Sequence, residues 1–218
     1  MTDFPFDLIG FDLDGTLVDS APDLAAAVNH VLATVGRGPL TVDSVRGMMG
    51  GGAQLMLERA IAAAGGAPEA LETLYPMLVD YYATHIADLT RPFPGVREAL
   101  AALRARGVTL AIVTNKLEHL SVKLLKEIDL FDQFACIIGG DTLGIGKPDP
   151  APVHEMIRRC GGTSVAFVGD TAYDVKAAHA ADLPCALFLP DGGEALGADA
   201  TFTDYAGLVP ALDQWGRR

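Results

Sequence analysis

Two carboxylates, Asp12 and Asp14, stand one residue apart where the apolar run of residues 6–11 ends. Gly15 and Thr16 follow, and glycine suits an abrupt change of chain direction. Two acids this close repel, unless a cation lies between them or their protonation states diverge. Either solution is chemically useful. An ionised carboxylate can attack an electrophile, and a protonated one can hand a proton to a leaving group. The run is about one strand long. In an open parallel sheet, ligands bind beyond the carboxyl ends of the strands. A strand ending in this pair would therefore put it where a substrate sits.

Other apolar runs end in polar groups as well. Residues 108–113 lead into Thr114-Asn115-Lys116, which offers a hydroxyl, an amide and a cation. Thr and Asn are also common helix caps, so this signal needs its context. Residues 164–168 lead into Gly169-Asp170-Thr171-Ala172-Tyr173-Asp174, with two acids one helical turn apart. Acids at a helix start ordinarily serve as caps and dipole partners. That does not explain why this strand, like the first, ends in an acid. Lys147-Pro148 sits just ahead of a helix, where a lysine can pair with both a carboxylate and a phosphate. The segment is no P-loop: Asp141 stands where its first glycine would be, and Pro148 replaces Ser/Thr. Lys116 competes with Lys147 for the same role. Hard oxygen ligands and a phosphate suit Mg²⁺. Arg46, ahead of Gly50-Gly51-Gly52, joins one cation to pliant backbone. The five histidines are scattered without zinc-site spacing, and no G-x-S-x-G elbow occurs.

The elements that must position these groups follow from periodicity. Helical spacing predicts helices over residues 21–35, 42–49, 54–64 and 69–89, with no clear strand among them; Ser20 is placed to cap the first. The string Arg91-Pro92-Phe93-Pro94-Gly95 breaks this pattern. Beyond it the reading alternates: helix 96–106, strand 108–113, helix 118–128, strand 134–138, helix 151–160, strand 164–168, helix 172–180 and strand 184–189. A weaker strand at 200–202 and a helix at 205–215 close it. Alternation of this kind implies α/β architecture, a parallel sheet covered on both faces. The sheet unit would comprise residues 1–19 and 90–218, and the helical segment 20–89 would be inserted beside the acidic strand end. An insertion so placed could close over the site and exclude water.

The string D-x-D-G-T-L-V-D-S from Asp12 resembles motif I of the haloacid-dehalogenase-like (HAD) phosphatases. Thr114-Asn115 is similar to motif II of that family, Lys147-Pro148 to motif III, and Gly169-Asp170 with Asp174 to motif IV. The resemblance covers essentially the whole chain. It implies a Rossmann-like parallel sheet core with a helical cap of the C1 type after the first strand. It implies Asp12 as nucleophile, Asp14 as acid and base, and Thr114, Asn115 and Lys147 on the phosphoryl oxygens. It also implies Mg²⁺ on the Asp12 carboxylate, the Asp14 main-chain carbonyl and Asp170, with Asp174 orienting from behind. Arg46 in R-x-x-x-G-x-G resembles the cap motif of phosphoglycolate phosphatases, which favours 2-phosphoglycolate as substrate. Sugar phosphates, nucleotides and a β-phosphoglucomutase-like transfer remain alternatives within the fold. A non-catalytic module sensing a phosphorylated metabolite is the alternative outside it, although such a module would typically have lost these acids. A phosphonate hydrolase would want a cap lysine, and residues 20–89 contain none.

Composition is consistent with this. The 218 residues carry a net charge of -12, which repels nucleic acid and anionic membranes and leaves a small phosphorylated metabolite as the expected partner. Positive charge must then be gathered locally to hold a phosphate. Cys136, Cys160 and Cys185 form no C-x-x-C pair and suit free thiols in a reducing cytoplasm. The N-terminus lacks a basic, then apolar, leader pattern. Monomer and homodimer are both compatible with the sequence.

Overall fold

A computed structural model describes residues 4–66 and 71–217. Strand β1 (Leu8–Phe11) is followed by a two-residue strand β2 (Val18–Asp19) and helices α1 (Ala21–Thr34), α2 (Val42–Arg46), α3 (Ala53–Ala63) and α4 (Leu71–Thr84). The chain continues through β3 (Arg91–Pro92), α5 (Val96–Arg104), β4 (Thr109–Val113), α6 (Glu118–Glu127) and β5 (Cys136–Ile138). It ends with α7 (Ala151–Cys160), β6 (Val165–Gly169), α8 (Ala172–Ala180), β7 (Cys185–Phe188), β8 (Ala200–Phe202) and α9 (Leu208–Asp213). The start expected for α4 falls in residues 67–70, outside the described residues.

Six strands form one sheet in the order β5-β4-β1-β6-β7-β8, all parallel. β1 is central because its residues are apolar on both faces. Ile9 and Phe11 face one buried cluster with Ile112 and Val168, and Leu8 faces the other with Val113 and Phe167. Alternation of side chains along a strand makes this division automatic. Burying a side chain like Phe11 contributes roughly 1.5–3 kcal/mol. Gly10 lets α7 come close: a Cβ there would lie 2.5 Å from Met156 Sδ. The order of the strands reverses at β1, between β4 and β6, so the crevice beyond their carboxyl ends is where such sheets hold ligands.

Helices α1 to α4 lie between β1 and β4 in the chain and pack on one another. The chain leaves for them through β2 and returns through β3, and these two segments pair antiparallel, Val18 with Pro92 and Asp19 with Arg91. This ribbon was not expected from the sequence. Beside it, the buried Asp23 carboxylate of α1 accepts the Leu89 and Thr90 amides and the Thr90 hydroxyl at 2.7–3.0 Å. A buried carboxylate is tolerated when so fully satisfied. The Ser20 cap is a correction. Ser20 occupies the N-cap position in α-helical geometry, its side chain makes no capping bond, and its buried Oγ has no partner among the described residues. Its ψ of -2° departs from the extended backbone that cap residues usually adopt. No helix among the described residues is long and apolar enough to cross a membrane.

Candidate active site

The chain turns sharply after β1. Gly15 adopts φ +84°, and a Cβ on it would lie 2.4 Å from Asp170 Oδ2, so glycine is required both for the turn and for the approach of β6's acid. Thr16 donates its hydroxyl to Asp170 Oδ1 at 2.7 Å, and its carbonyl accepts the buried Tyr205 hydroxyl at 2.5 Å. The β1 and β6 turns are thus tied to each other and to the region before α9.

Asp12, Asp170 and Asp174 each place a carboxylate oxygen within 4.8 Å of the other two. Lys147 enters from the loop before α7, with Nζ 3.1 Å from Asp12 Oδ1 and 2.5 Å from Asp174 Oδ1. The other oxygen of Asp174 accepts the Asp170 and Thr171 amides and the Thr171 hydroxyl, in a capping box at the start of α8. Both Asp174 oxygens are therefore committed, and it braces the cluster from behind. Asp12 accepts the Leu13 amide at 2.7 Å.

Three carboxylates and one ammonium leave an excess of about two negative charges in a nearly buried cluster. Burial pushes the Asp12 carboxyl up to about 6 against the pull of Lys147, with Asp174 adding to the rise. Burial, then Asp174 and Asp12, pushes Asp170 well above the usual carboxylate range. A divalent cation would balance the excess, and a set of hard oxygens is what such a cation prefers. The donor set fits a metal ion held by Asp12 and Asp170.

Asp14 stands apart from this cluster. Both its oxygens accept the Lys116 ammonium, at 3.0 and 2.9 Å, and Lys116 also donates to the Tyr82 hydroxyl of α4 at 2.8 Å. Burial alone would lower the Lys116 pKa, but Asp14 and Tyr82 outweigh it and raise it. Thr114, buried just past the end of β4, accepts the Lys116 amide at 3.3 Å and works to lower the pKa of the Asp12 carboxyl. Asn115 accepts the Lys147 amide at 2.8 Å and donates to the Lys147 and Gly50 carbonyls, each at 2.9 Å. Its side chain therefore holds the main chain of Lys147.

A chamber of about 60 Å³ opens beside Asp12 and Asp14. Thr114, Asn115 and Lys116 line it from the sheet, and Met49, Gly50, Gly52, Tyr75 and Tyr82 line it from the helical segment. Arg46 is not brought to it. Its guanidinium binds Asp19 of β2 at 2.7 and 3.1 Å. The sequence reading missed Thr16, Tyr82 and the service of Lys116 to Asp14. Thr16 sits inside the first motif and was the most findable of them.

Comparison with known proteins agrees with this geometry. A family model described as "Haloacid dehalogenase-like hydrolase" matches residues 9–188. The chain is 39% identical over 211 residues to a phosphoglycolate phosphatase of Agrobacterium fabrum, covering 93% of this chain and 90% of that protein. It is 41% identical over 211 residues to a phosphoglycolate phosphatase of Caulobacter vibrioides, covering 93% and 89%. A crystal structure of a predicted phosphoglycolate phosphatase from Haemophilus somnus 129PT superposes with a TM-score of 0.85 at 32% identity, over 96% of this chain and 98% of that one. With the motif acids converging at the end of β1 and with these relatives spanning nearly its full length, the chain belongs to the haloacid dehalogenase-like hydrolases.

Proposed function

We propose that this chain is a Mg²⁺-dependent phosphatase that hydrolyses a small phosphate monoester, with 2-phosphoglycolate giving glycolate and phosphate. The observation that carries the reading is the joining of Asp12, from β1, to Asp170, from β6, with Lys147 against the Asp12 carboxylate. The substrate rests on relatives named phosphoglycolate phosphatase.

In the first step an Asp12 oxygen attacks phosphorus, the bond to the leaving alcohol breaks, and Asp14 gives that alcohol its proton. An aspartyl-phosphate remains on Asp12. In the second step Asp14 takes a proton from water, the water oxygen attacks phosphorus, and the bond to Asp12 breaks to release phosphate. Asp12, the main-chain carbonyl of Asp14 and Asp170 would hold Mg²⁺, with Asp174 behind them. Mg²⁺, when bound, supplies positive charge that keeps Asp12 ionised and draws the phosphoryl oxygens. Thr114 and Lys147 hold those oxygens and offset charge in a loose transition state. Asn115 acts on them through Lys147. Residues 20–89 act as a cap over a core made of residues 1–19 and 90–218, a division supported by chamber walls drawn from both parts.

The test is phosphate release from a panel of small phosphoesters, with rapid-quench mass spectrometry for the phosphoenzyme. Wild type is expected to turn over in Mg²⁺ and stop in EDTA, and Asp12→Asn is expected to lose both turnover and phosphoenzyme while keeping its fold. Full activity in Asp12→Asn, or in metal-free protein, would overturn the mechanism.

A further inference from the structure

We propose that Lys116 selects the substrate, by receiving a carboxylate carried on the leaving alcohol. The inference rests on the phosphatase reading above and adds to it the residue that recognises the acid end of the substrate.

The chamber is largely apolar on the side away from the nucleophile. Leu24, Met49, Met56, Tyr75, Leu117 and Leu120 supply much of its wall. Its ionisable acids, Asp12 and Asp14, are both negative when charged. Among the described residues that line it, Lys116 is the one cation. Lys147 works on the far side of Asp12, and Arg46 is held outside by Asp19. A second anionic group on the substrate would meet Asp14 and apolar walls, and Lys116 is the one cation in the lining to offset it. Desolvating a carboxylate there without a partner is prohibitive, so the lysine turns a general phosphatase chamber into a selective one.

The local geometry suits the task. The Lys116 ammonium is almost completely buried, 4.4 Å from the centroid of the Tyr82 ring and 2.8 Å from its hydroxyl oxygen. Tyr82 accepts from Lys116 and keeps its own hydrogen to donate. The three ammonium hydrogens go to the two Asp14 oxygens and to Tyr82. When Asp14 is protonated to act as the acid, the hydrogens it releases and the Tyr82 hydroxyl together can grip the two oxygens of one carboxylate. Lys116 comes from the sheet and Tyr82 from α4, so a substrate bridging them would also hold the helical segment in place. The sites for the two ends of the ligand then lie two residues apart, Thr114 for the phosphoryl group and Lys116 for the carboxylate.

The experiment compares kcat/KM for 2-phosphoglycolate with that for ethyl phosphate, which replaces the carboxylate by a methyl group. It is run on wild type, Lys116→Met, Lys116→Gln and Lys116→Arg, each checked for folding by circular dichroism. Using the same substrate pair throughout cancels the difference in leaving groups. Wild type should prefer 2-phosphoglycolate. In Lys116→Met and Lys116→Gln the ratio should fall by about two orders of magnitude, the scale of losing a buried charge pair. Lys116→Arg should retain most of it. An unchanged ratio in the Met and Gln variants, with wild-type preference intact, overturns this inference alone, because Lys116 would then serve only Asp14. A wild type that hydrolyses both esters equally well overturns the proposed substrate as well. The methyl ester of 2-phosphoglycolate gives a check independent of mutant folding. It should be as poor a substrate for wild type as ethyl phosphate, and equality with the free acid would refute the inference.

Discussion

Asn115 closes its side chain onto the main chain of Lys147: its carbonyl oxygen accepts the Lys147 amide at 2.8 Å, and its amide donates to the Lys147 carbonyl at 2.9 Å. The two residues are 32 positions apart in the chain, with α6, β5 and a long loop between them. The lysine that faces Asp12 is therefore held by a neighbouring strand end rather than by its own loop. Asn115→Ala removes both bonds and is expected to destabilise the protein by about 1–3 kcal/mol. It should lower kcat more than it raises KM, because the misplaced cation matters most in the transition state. Chemical denaturation and steady-state kinetics on one preparation check both parts. Wild-type kcat in that variant would show that Lys147 needs no such support.

The acidic cluster sets up a reversal of stability order. Asp170 is driven well above the usual carboxylate range by burial and by its acidic neighbours, and Asp12 to about 6. A carboxyl whose folded pKa is raised costs stability once pH exceeds its unfolded pKa, and the cost grows until pH passes the folded value. Metal-free protein should therefore lose stability from the ordinary carboxylate range upward through about pH 6. Asp170→Asn should melt above wild type in EDTA at pH 7. With Mg²⁺ at a hundredfold excess over its Kd, wild type should gain about 2.7 kcal/mol and overtake the variant. Thermal melts with and without Mg²⁺ decide it, and identical responses in the two proteins would remove Asp170 from the metal site.

Arg46 and Asp19 form a bidentate but half-exposed pair joining α2 to β2. Such pairs contribute about 0.2–1 kcal/mol. Arg46→Ala should shift the melting temperature by only a few degrees. Since Arg46 stands outside the chamber, any loss of activity should fall equally on every phosphoester tested. A selective loss on 2-phosphoglycolate would instead assign Arg46 to the substrate.

Asp7 ties the start of β1 to the start of β6 by accepting the Thr163 and Ser164 amides and the Thr163 hydroxyl. Burial works to raise its pKa, but these bonds together lower it. A depressed folded pKa gives stability that is present above the unfolded pKa and is lost as pH falls through the folded one. Asp7→Asn should cost below about 1 kcal/mol at pH 7, given its exposure to solvent. The difference from wild type should close in acid. A gap that stays constant from pH 7 down to pH 3 would mean that charge contributes nothing there.

The sheet and most helices were legible because their signals are local. Apolar runs ending at Gly, Pro or acids marked the strands, and α7, α8 and β8 fall at the bounds read from the sequence. The acids at the ends of β1 and β6 were legible as chemistry because packing gives no reason for them. What could not be read was pairing across distance. Thr16 meets Asp170 over a separation of 154 residues, and Lys116 meets Asp14 over 102. The two-residue strands β2 and β3 are too short to leave a periodic trace. Ser20 carried the right residue type for a cap, yet the local backbone did not take cap geometry.

The pairing of β2 with β3 has an architectural outcome. Asp19 and Arg91 are ladder partners, so the entrance and the exit of the four-helix segment stand side by side. The same adjacency makes that junction a natural splice point. An alternative helical hairpin bundle with neighbouring ends could be grafted between positions 19 and 91 without stretching the sheet beneath it, exchanging the helical segment while the acids stay where they are.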